Sequence, residues 1–276
     1  MRIYTVLKDD RYMVAAEKDG RLYEIKGFFD MNDLIERYDG NIEYGDSFSF
    51  EEVKICSPIV HPRQDLICLG VNYEEHREES STGIGMTKDS ANIYFSKRAA
   101  KASGDGDVIP LYDFVDSTDY ESELGVIIGK SARNVKREDA LSYVFGYTVV
   151  NDVSARNLQK KHRQFYFAKG LDGYTVMGPC IVTADEIPDP QNLKIWCRVN
   201  GETRQESNTG NMICDIAGII EELSMGIELL PGTIISTGTP AGTGMGMEPP
   251  GFLNDGDEVE CGVEKIGSIK NICRKK

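Results

Sequence analysis

Two glutamates stand two residues apart in DYESELGVIIG, at positions 121 and 123. Side chains alternate along a strand, so Glu121 and Glu123 share a face if this stretch is extended. Leu124, Val126 and Ile128 continue it as an apolar row, the mark of a buried strand. Two acids side by side at a core strand repel each other unless a cation lies between them. Asp152 closes the apolar run YTVVND ahead of a helical stretch and offers a third carboxylate. Three carboxylates are hard oxygen donors. They suit Mg2+ or Mn2+, with Ca2+ also acceptable, better than zinc, and leave coordination positions open for water and substrate. A Glu-x-Glu pair can equally be a solvated face, and an Asp before a helix can be an N-cap. Spacing alone leaves both readings open.

A second candidate is GVNYEEHREES, residues 70 to 80, where His76 sits among four glutamates. Acidic neighbours favour the protonated imidazole, which is a poor base. On a helix, residues three apart lie on one face, so His76 and Glu79 are neighbours there. Glu79 can then orient the ring. The alternative is a solvated acidic helix with an idle histidine. The glycine-rich TGTPAGTGMG, residues 237 to 246, has no Gly-Lys-Ser/Thr and is not a phosphate loop. It follows the strand-like GTIIS and is expected to be a turn that brings backbone N–H groups and Thr239 near something small, or a plain tight turn.

These residues need a scaffold. The chain has 276 residues, enough for one large domain with a small appendage. Residues 1–60 are expected to form a small α+β domain and residues 61–276 the catalytic one. In the first, RIYTVLKDDRYMVAAEKDGRLYEI predicts a hairpin around a DG turn. MNDLIERY predicts a short helix capped by Asn32 or Asp33, and SPIVHPRQD a linker. In the second, LICLGV, YESELGVIIG, FGYTVVND, GPCIVTAD, LKIWCRVNG, GTIISTG and DEVECGVEKIGSIKNIC predict strands, with an Asn-Gly hairpin turn in VNGETR. SARNLQKKHRQ and CDIAGIIEELSMGIEL predict helices. SSTGIGMTKDSAN and MGMEPPGFLND predict loops. The fold class is therefore mainly β with some α, rolled or barrel-like at its core.

Net charge is −14, with no basic block, which argues against nucleic acid as a partner. An acidic protein that binds a small acid needs a local cation. No apolar run approaches the ~18 residues of a membrane span, and MRIYTVLKDD does not resemble a signal peptide. A cytoplasmic protein with no membrane partner is expected. The seven cysteines show no CxxC spacing and are expected to be buried thiols.

Taken in order, GVNYEEHREE, YFSK, DYESELGVIIG, GYTVVNDVSARNLQ, FAKGLDGYTVMGP, VNGETRQESNTGNM and LLPGTIISTGTPAG resemble the fumarylacetoacetate hydrolase family over roughly residues 63 to 273. The N-terminal 60 residues resemble the small leading domain of its bacterial members. The resemblance is to members labelled 2-hydroxyhepta-2,4-diene-1,7-dioate isomerase or acylpyruvate hydrolase. It implies a mixed β roll, commonly a homodimer, with one Mg2+ or Mn2+ on Glu121, Glu123 and Asp152. It implies that His76 and Glu79 form a catalytic pair on a short helix closing over the site. Lys169 matches a catalytic lysine that meets the substrate acid. Gln159, Thr239 and Gly238 match positions at the substrate. Val71, Asn157 and Arg98 depart from the residues common in the family.

The implied substrate is a small 2-oxo or 2-hydroxy acid. The implied reaction is hydrolysis of an acylpyruvate-type C–C bond through a metal-stabilised enolate, with His76 drawing a proton from water and Lys169 and the Thr239 turn balancing charge. Isomerisation of a hydroxydienoate and decarboxylation need the same arrangement without hydrolytic water. A non-catalytic small-acid binding protein is the remaining alternative, and the retained His-Glu pair speaks against it.

Overall fold

A computed structural model of the protein describes residues 1–84 and 91–276. In chain order the first part contains β1 (Arg2–Lys8), β2 (Arg11–Lys18), β3 (Arg21–Ile25), α1 (Met31–Arg37), β4 (Tyr44–Phe48) and β5 (Lys54–Ile55). Then come β6 (Leu66–Gly70), α2 (Glu74–Ile84), β7 (Ile93–Lys97), β8 (Val108–Leu111), β9 (Thr118–Asp119), β10 (Ser122–Ile128), β11 (Val144–Asp152) and β12 (Ser154–Ala155). The last part holds α3 (Arg156–His162), α4 (Phe165–Lys169), β13 (Thr175–Thr183), β14 (Lys194–Val199), β15 (Glu202–Asn208), α5 (Ile216–Ser224), β16 (Ile234–Ser236), β17 (Glu258–Val263) and β18 (Gly267–Lys275).

The main sheet has eleven strands in the order β4-β3-β2-β1-β13-β11-β10-β16-β6-β7, with β5 on the side of β1. A five-stranded sheet, β15-β14-β17-β18-β8, packs on one face of it, and α1 on the other. The central strands β10 and β11 are buried along their whole length because both faces are covered. Leu124, Val126 and Ile128 enter the core shared with the second sheet, whereas Ile127 enters the core under α1 beside Leu34 and Ile35. Period-two alternation thus splits one strand between two cores. The architecture is mainly β with some α, a mixed rolled core, as the sequence predicts. No helix among the described residues is long and apolar enough to cross a membrane.

Several local expectations are corrected. The N-terminal hairpin is three strands with two turns. Asp9 and Asp10 both have positive φ, as do Asp19 and Gly20, the conformation that two-residue hairpin turns demand. Only the second turn has the glycine that announces itself in sequence. The cap of α1 is Asp30, whose side chain accepts from the Asp33 N–H, rather than Asn32 or Asp33. Residues 57–65 are not an exposed linker, since Ser57 and Ile59 are buried. β1 pairs with β13 through Arg2↔Val182 and Ile3↔Ile181, so the main sheet runs on from the first 60 residues into the rest. The loop expected over residues 80–92 begins as helix, because α2 continues to Ile84. Residues 85–90 of that loop lie outside the described residues. All seven cysteines are free and six are buried.

Candidate active site

The site forms where the edge of the main sheet meets α2, α3 and the glycine-rich turn after β16. Asn72, at the end of β6, anchors this corner. Its side-chain amide donates to the carbonyls of Thr237 at 2.7 Å and Cys214 at 2.9 Å and accepts from the Cys214 N–H at 2.8 Å. Every polar atom of the side chain is satisfied, so the start of α2 is tied to two loops distant in sequence. Val71, just before it, has φ 57°. That is an outlier for a β-branched residue, and it lies in the wall of a cavity of about 920 Å3.

Glu121, Glu123 and Asp152 come together with one ligand atom from each within 4.8 Å of the others, all three buried. Glu121 precedes β10, Glu123 lies within it, and Asp152 ends the adjacent β11. Antiparallel pairing of β10 with β11, Ser122 opposite Asn151, brings the two strands' acids to one end of the sheet. The cations around them are equally buried. Lys169 donates to Glu121 and, at 2.6 Å, to Asp152. Lys97, fully buried, donates to Asp152 at 2.5 Å and to the Val153 carbonyl at 3.1 Å. Arg156 donates to Glu121 at 2.7 Å and to Asp119 at 2.8 Å. Glu123 has no cation hydrogen-bonded to it among the described residues. It accepts from the Ser236 hydroxyl at 2.5 Å and the Gly238 N–H at 2.9 Å.

The charge states follow from these partners. Burial would raise the Glu121 carboxyl, but Lys169 and Arg156 hold it well below the usual range. Burial pushes Glu123 up to about 8, and Asp152 and Glu121 push in the same direction. Burial would lower Lys169, but Asp152 and Glu121 raise it above its ordinary value, so it stays charged. Burial lowers Lys97, with Lys169 adding to the effect against the attraction of Asp152. With Asp119 counted, the centre holds four carboxyls against the three cations Lys97, Lys169 and Arg156. An oxygen-only donor set with one carboxyl forced towards protonation fits a hard divalent cation.

Lys97 is the simplest probe of this balance. Lys97→Met is expected to destabilise the protein in EDTA by about 3 kcal/mol, the low end for breaking a buried pair, since Lys169 stays on the other Asp152 oxygen. Excess Mg2+ or Mn2+ should restore most of that loss by supplying the missing positive charge. Thermal unfolding of both proteins with and without the metal measures it. Equal metal-induced shifts in variant and wild type would count against a metal at Asp152.

His76 faces the same cavity from α2. Its Nδ1 lies 2.8 Å from Glu79 Oε2. Glu79 also accepts from the Gly242 N–H at 3.0 Å and from the Thr243 hydroxyl at 3.2 Å. Burial pushes the Glu79 carboxyl up, yet the bonds from His76 and Gly242 hold it below the usual range. An ionised carboxylate only accepts, so Nδ1 is assigned the ring hydrogen and Nε2 of the neutral ring carries the lone pair. Gly246 packs so close that a Cβ there would fall 1.8 Å from Glu79 Oε1. Glu79 thus joins α2 to the glycine-rich turn. The turn is held from below by Asp119, which accepts from the Gly244 and Met245 N–H groups at 2.7 and 3.0 Å. Of the remaining glutamates of α2, Glu75 is exposed and Glu74 pairs with Arg77.

The other residues predicted from the sequence separate. Gln159 lines the cavity, with its Oε1 taken by Arg156 at 3.0 Å, which leaves its NH2 as a donor. Thr239 lines it too, donating to the Ser122 carbonyl at 2.9 Å and accepting from Gln205 at 2.8 Å. Gly238 does not line it. Its N–H serves Glu123, and its φ of 94° with Asn72 Cβ 2.7 Å from a would-be Cβ excludes a side chain. Asp119, Arg156, Lys97 and Asn72 were not singled out as site residues in the sequence. Asp119 is two residues ahead of Glu121 and extends the same alternation, a signal available in DYESE. Arg156 and Lys97 carry no such signal, since nothing local distinguishes a buried cation from a surface one.

The family model described as fumarylacetoacetate (FAA) hydrolase C-terminal matches residues 65–273. The chain is 43% identical over 225 residues to oxaloacetate tautomerase YisK of Bacillus subtilis, covering 81% of this chain and 74% of that protein. Its structure resembles a fumarylacetoacetate hydrolase from Exiguobacterium antarcticum with a TM-score of 0.90 at 35% identity, covering all of both chains. It also resembles 2-hydroxyhepta-2,4-diene-1,7-dioate isomerase from Mycobacterium marinum with a TM-score of 0.81 at 30% identity, covering 100% of this chain and 99% of that one.

Proposed function

The chain belongs to the fumarylacetoacetate hydrolase family, and from that premise we propose that it interconverts the keto and enol forms of a small 2-oxo acid of the oxaloacetate type. Glu121, Glu123 and Asp152 would hold a divalent cation, Mg2+ or Mn2+. The carrying observation is His76 on the cavity wall, held by Glu79 behind it. Tautomerisation moves one proton between C3 and the oxygen on C2. His76 has Nδ1 committed to Glu79, and among the described residues Nε2 has no partner, which is what a single proton carrier requires. Nε2 takes the C3 proton, Glu79 stabilises the imidazolium, and the same N–H then delivers the proton to the C2 oxygen. When bound, the cation supplies positive charge beside the carboxylate and 2-oxo oxygens and so makes C3 more acidic. Lys169, kept charged by Glu121 and Asp152, adds fixed positive charge where that oxygen turns negative. The Gln159 amide would orient the acid. Likeness to a protein named oxaloacetate tautomerase supports this reading.

A second reading, hydrolysis of an acylpyruvate C–C bond, is favoured by a cavity of about 920 Å3, generous for a four-carbon acid, and by likeness to a fumarylacetoacetate hydrolase. There Nε2 would take its proton from water. Decay of the oxaloacetate enol absorbance, run beside cleavage of acetylpyruvate with Mg2+ or Mn2+, decides between them. Faster approach to the keto–enol equilibrium is expected, with slower or no cleavage. A higher kcat/KM for acetylpyruvate cleavage would replace tautomerisation with hydrolysis.

A further inference from the structure

Eight non-glycine residues among those described have positive φ, and six are the Asp, Asn or Lys of turns. The other two, Val71 and Arg163, line the cavity. Arg163 follows α3 in the left-handed conformation, φ 54° and ψ 26°, its N–H donating to the Gln159 carbonyl. This is the helix-ending position that strongly favours glycine. A long cation is held there against that preference. Lys160 and Gln159 line the same cavity from the last turn of α3. Arg163 comes four residues after Gln159 and three after Lys160, so at the helix end it neighbours both, and all three line the cavity.

The cations deeper in the cavity already pair with the acid centre. Arg156 and Lys169 are buried and bonded to Glu121, Asp119 and Asp152. Lys160 and Arg163 are exposed, and neither has a carboxylate partner among the described residues. In a chain of net charge −14, two uncompensated cations at a cavity wall attract an anion. That anion is not the 2-oxo acid end of a substrate, which belongs at Glu121, Glu123, Asp152 and Lys169. We propose that Arg163, aided by Lys160, binds the distal carboxylate of the substrate and selects dicarboxylic over monocarboxylic 2-oxo acids. The inference rests on the 2-oxo acid reading of the site and adds the second charge to it.

The test uses two stable, similarly built probes, N-oxalylglycine, which has a distal carboxylate, and N-methyloxamate, which does not. Calorimetry on the Mg2+-loaded protein compares wild type, Arg163→Gly and Lys160→Gln. Glycine suits the backbone at 163, so a purely structural Arg163 predicts an unchanged or higher Tm and unchanged binding. We expect the unchanged or higher Tm together with about 10-fold weaker N-oxalylglycine binding, N-methyloxamate staying within about twofold. Lys160→Gln should act in the same direction with a smaller loss. The wild-type preference should shrink as salt is raised. Equal loss for both probes, no loss for N-oxalylglycine, or a wild type that binds the two equally or not at all would overturn the proposal. If discrimination depends on Arg163 but oxaloacetate is not tautomerised, the reaction assigned above fails and the distal site stands. If oxaloacetate is tautomerised and Arg163→Gly changes nothing, the reverse holds.

Discussion

Treatment with EDTA is expected to reduce turnover to background, with Mg2+ or Mn2+ restoring it. Three buried carboxylates bring ligand atoms within 4.8 Å of one another, and Glu123 lacks a cationic partner among the described residues. Without a divalent cation the centre keeps a proton, because Glu123 is pushed up to about 8. The direction of the pH effect follows. A carboxyl whose folded pKa lies above its unfolded value binds more protons folded than unfolded, so it costs stability as pH rises from about 4.5 to about 8. Stability of the metal-free protein should fall across that window on account of this group, and the rise in Tm on adding metal should grow. Metal affinity should increase with pH up to about 8 and then level. Glu123→Gln mimics the protonated carboxyl. It should abolish most metal-dependent activity while leaving the protein in EDTA as stable as wild type near pH 6 and more stable above pH 8. Full activity in excess EDTA, or a pH-independent metal affinity, would remove the metal from this centre.

Glu79→Gln is expected to lower kcat by about 10²-fold or more, the scale of a positioned general base. The amide cannot stabilise an imidazolium as a carboxylate does. It can also turn its NH2 towards His76 and leave the ring in the wrong tautomer. With the amide oxygen in the Oε1 place the Gly242 N–H keeps its acceptor, and the NH2 in the Oε2 place can donate to the Thr243 hydroxyl, so the fold of the turn should survive. Oxalate, which needs only the metal and the deep cations, should bind nearly as before. His76→Gln should cost at least as much. Glu75→Gln, on an exposed residue of the same helix, is the control and should leave kcat within about twofold. Similar kcat values for the Glu79 and Glu75 variants would dissolve the pair as a catalytic unit.

The two results address different halves of one cavity. The acid centre belongs to the sheet, on strands buried on both faces, and is rigid because its neighbours are packed. The proton carrier belongs to α2 and is held by Glu79 to a turn that Asp119 fixes from beneath. Loss of the metal should therefore leave the His76–Glu79 contact in place, and loss of Glu79 should leave metal affinity in place.

The features legible in the sequence were those that local geometry dictates. Alternation along an extended chain placed Glu121 and Glu123 on one face. Helical spacing placed Glu79 beside His76. The Asn-Gly of VNGETR marked a hairpin, and the apolar runs marked the central strands. Each depends on residues no more than a few positions apart. What the sequence could not disclose depends on neutralising and covering groups across the fold. Lys97 reaches Asp152 from 55 residues away, Arg156 reaches Glu121 from 35, and Gly242 reaches Glu79 from 163. A lysine on a strand reads as a surface residue until the sheet is assembled and its exposure falls to zero. The break between α3 and α4 at Arg163 was likewise hidden, because arginine is a good helix former and only tertiary context holds it left-handed. Local periodicity thus determined which acids and which histidine could do chemistry. Only the packed structure decided which cations balance them, since a buried charge is compensated by whatever the fold brings near, at any distance along the chain.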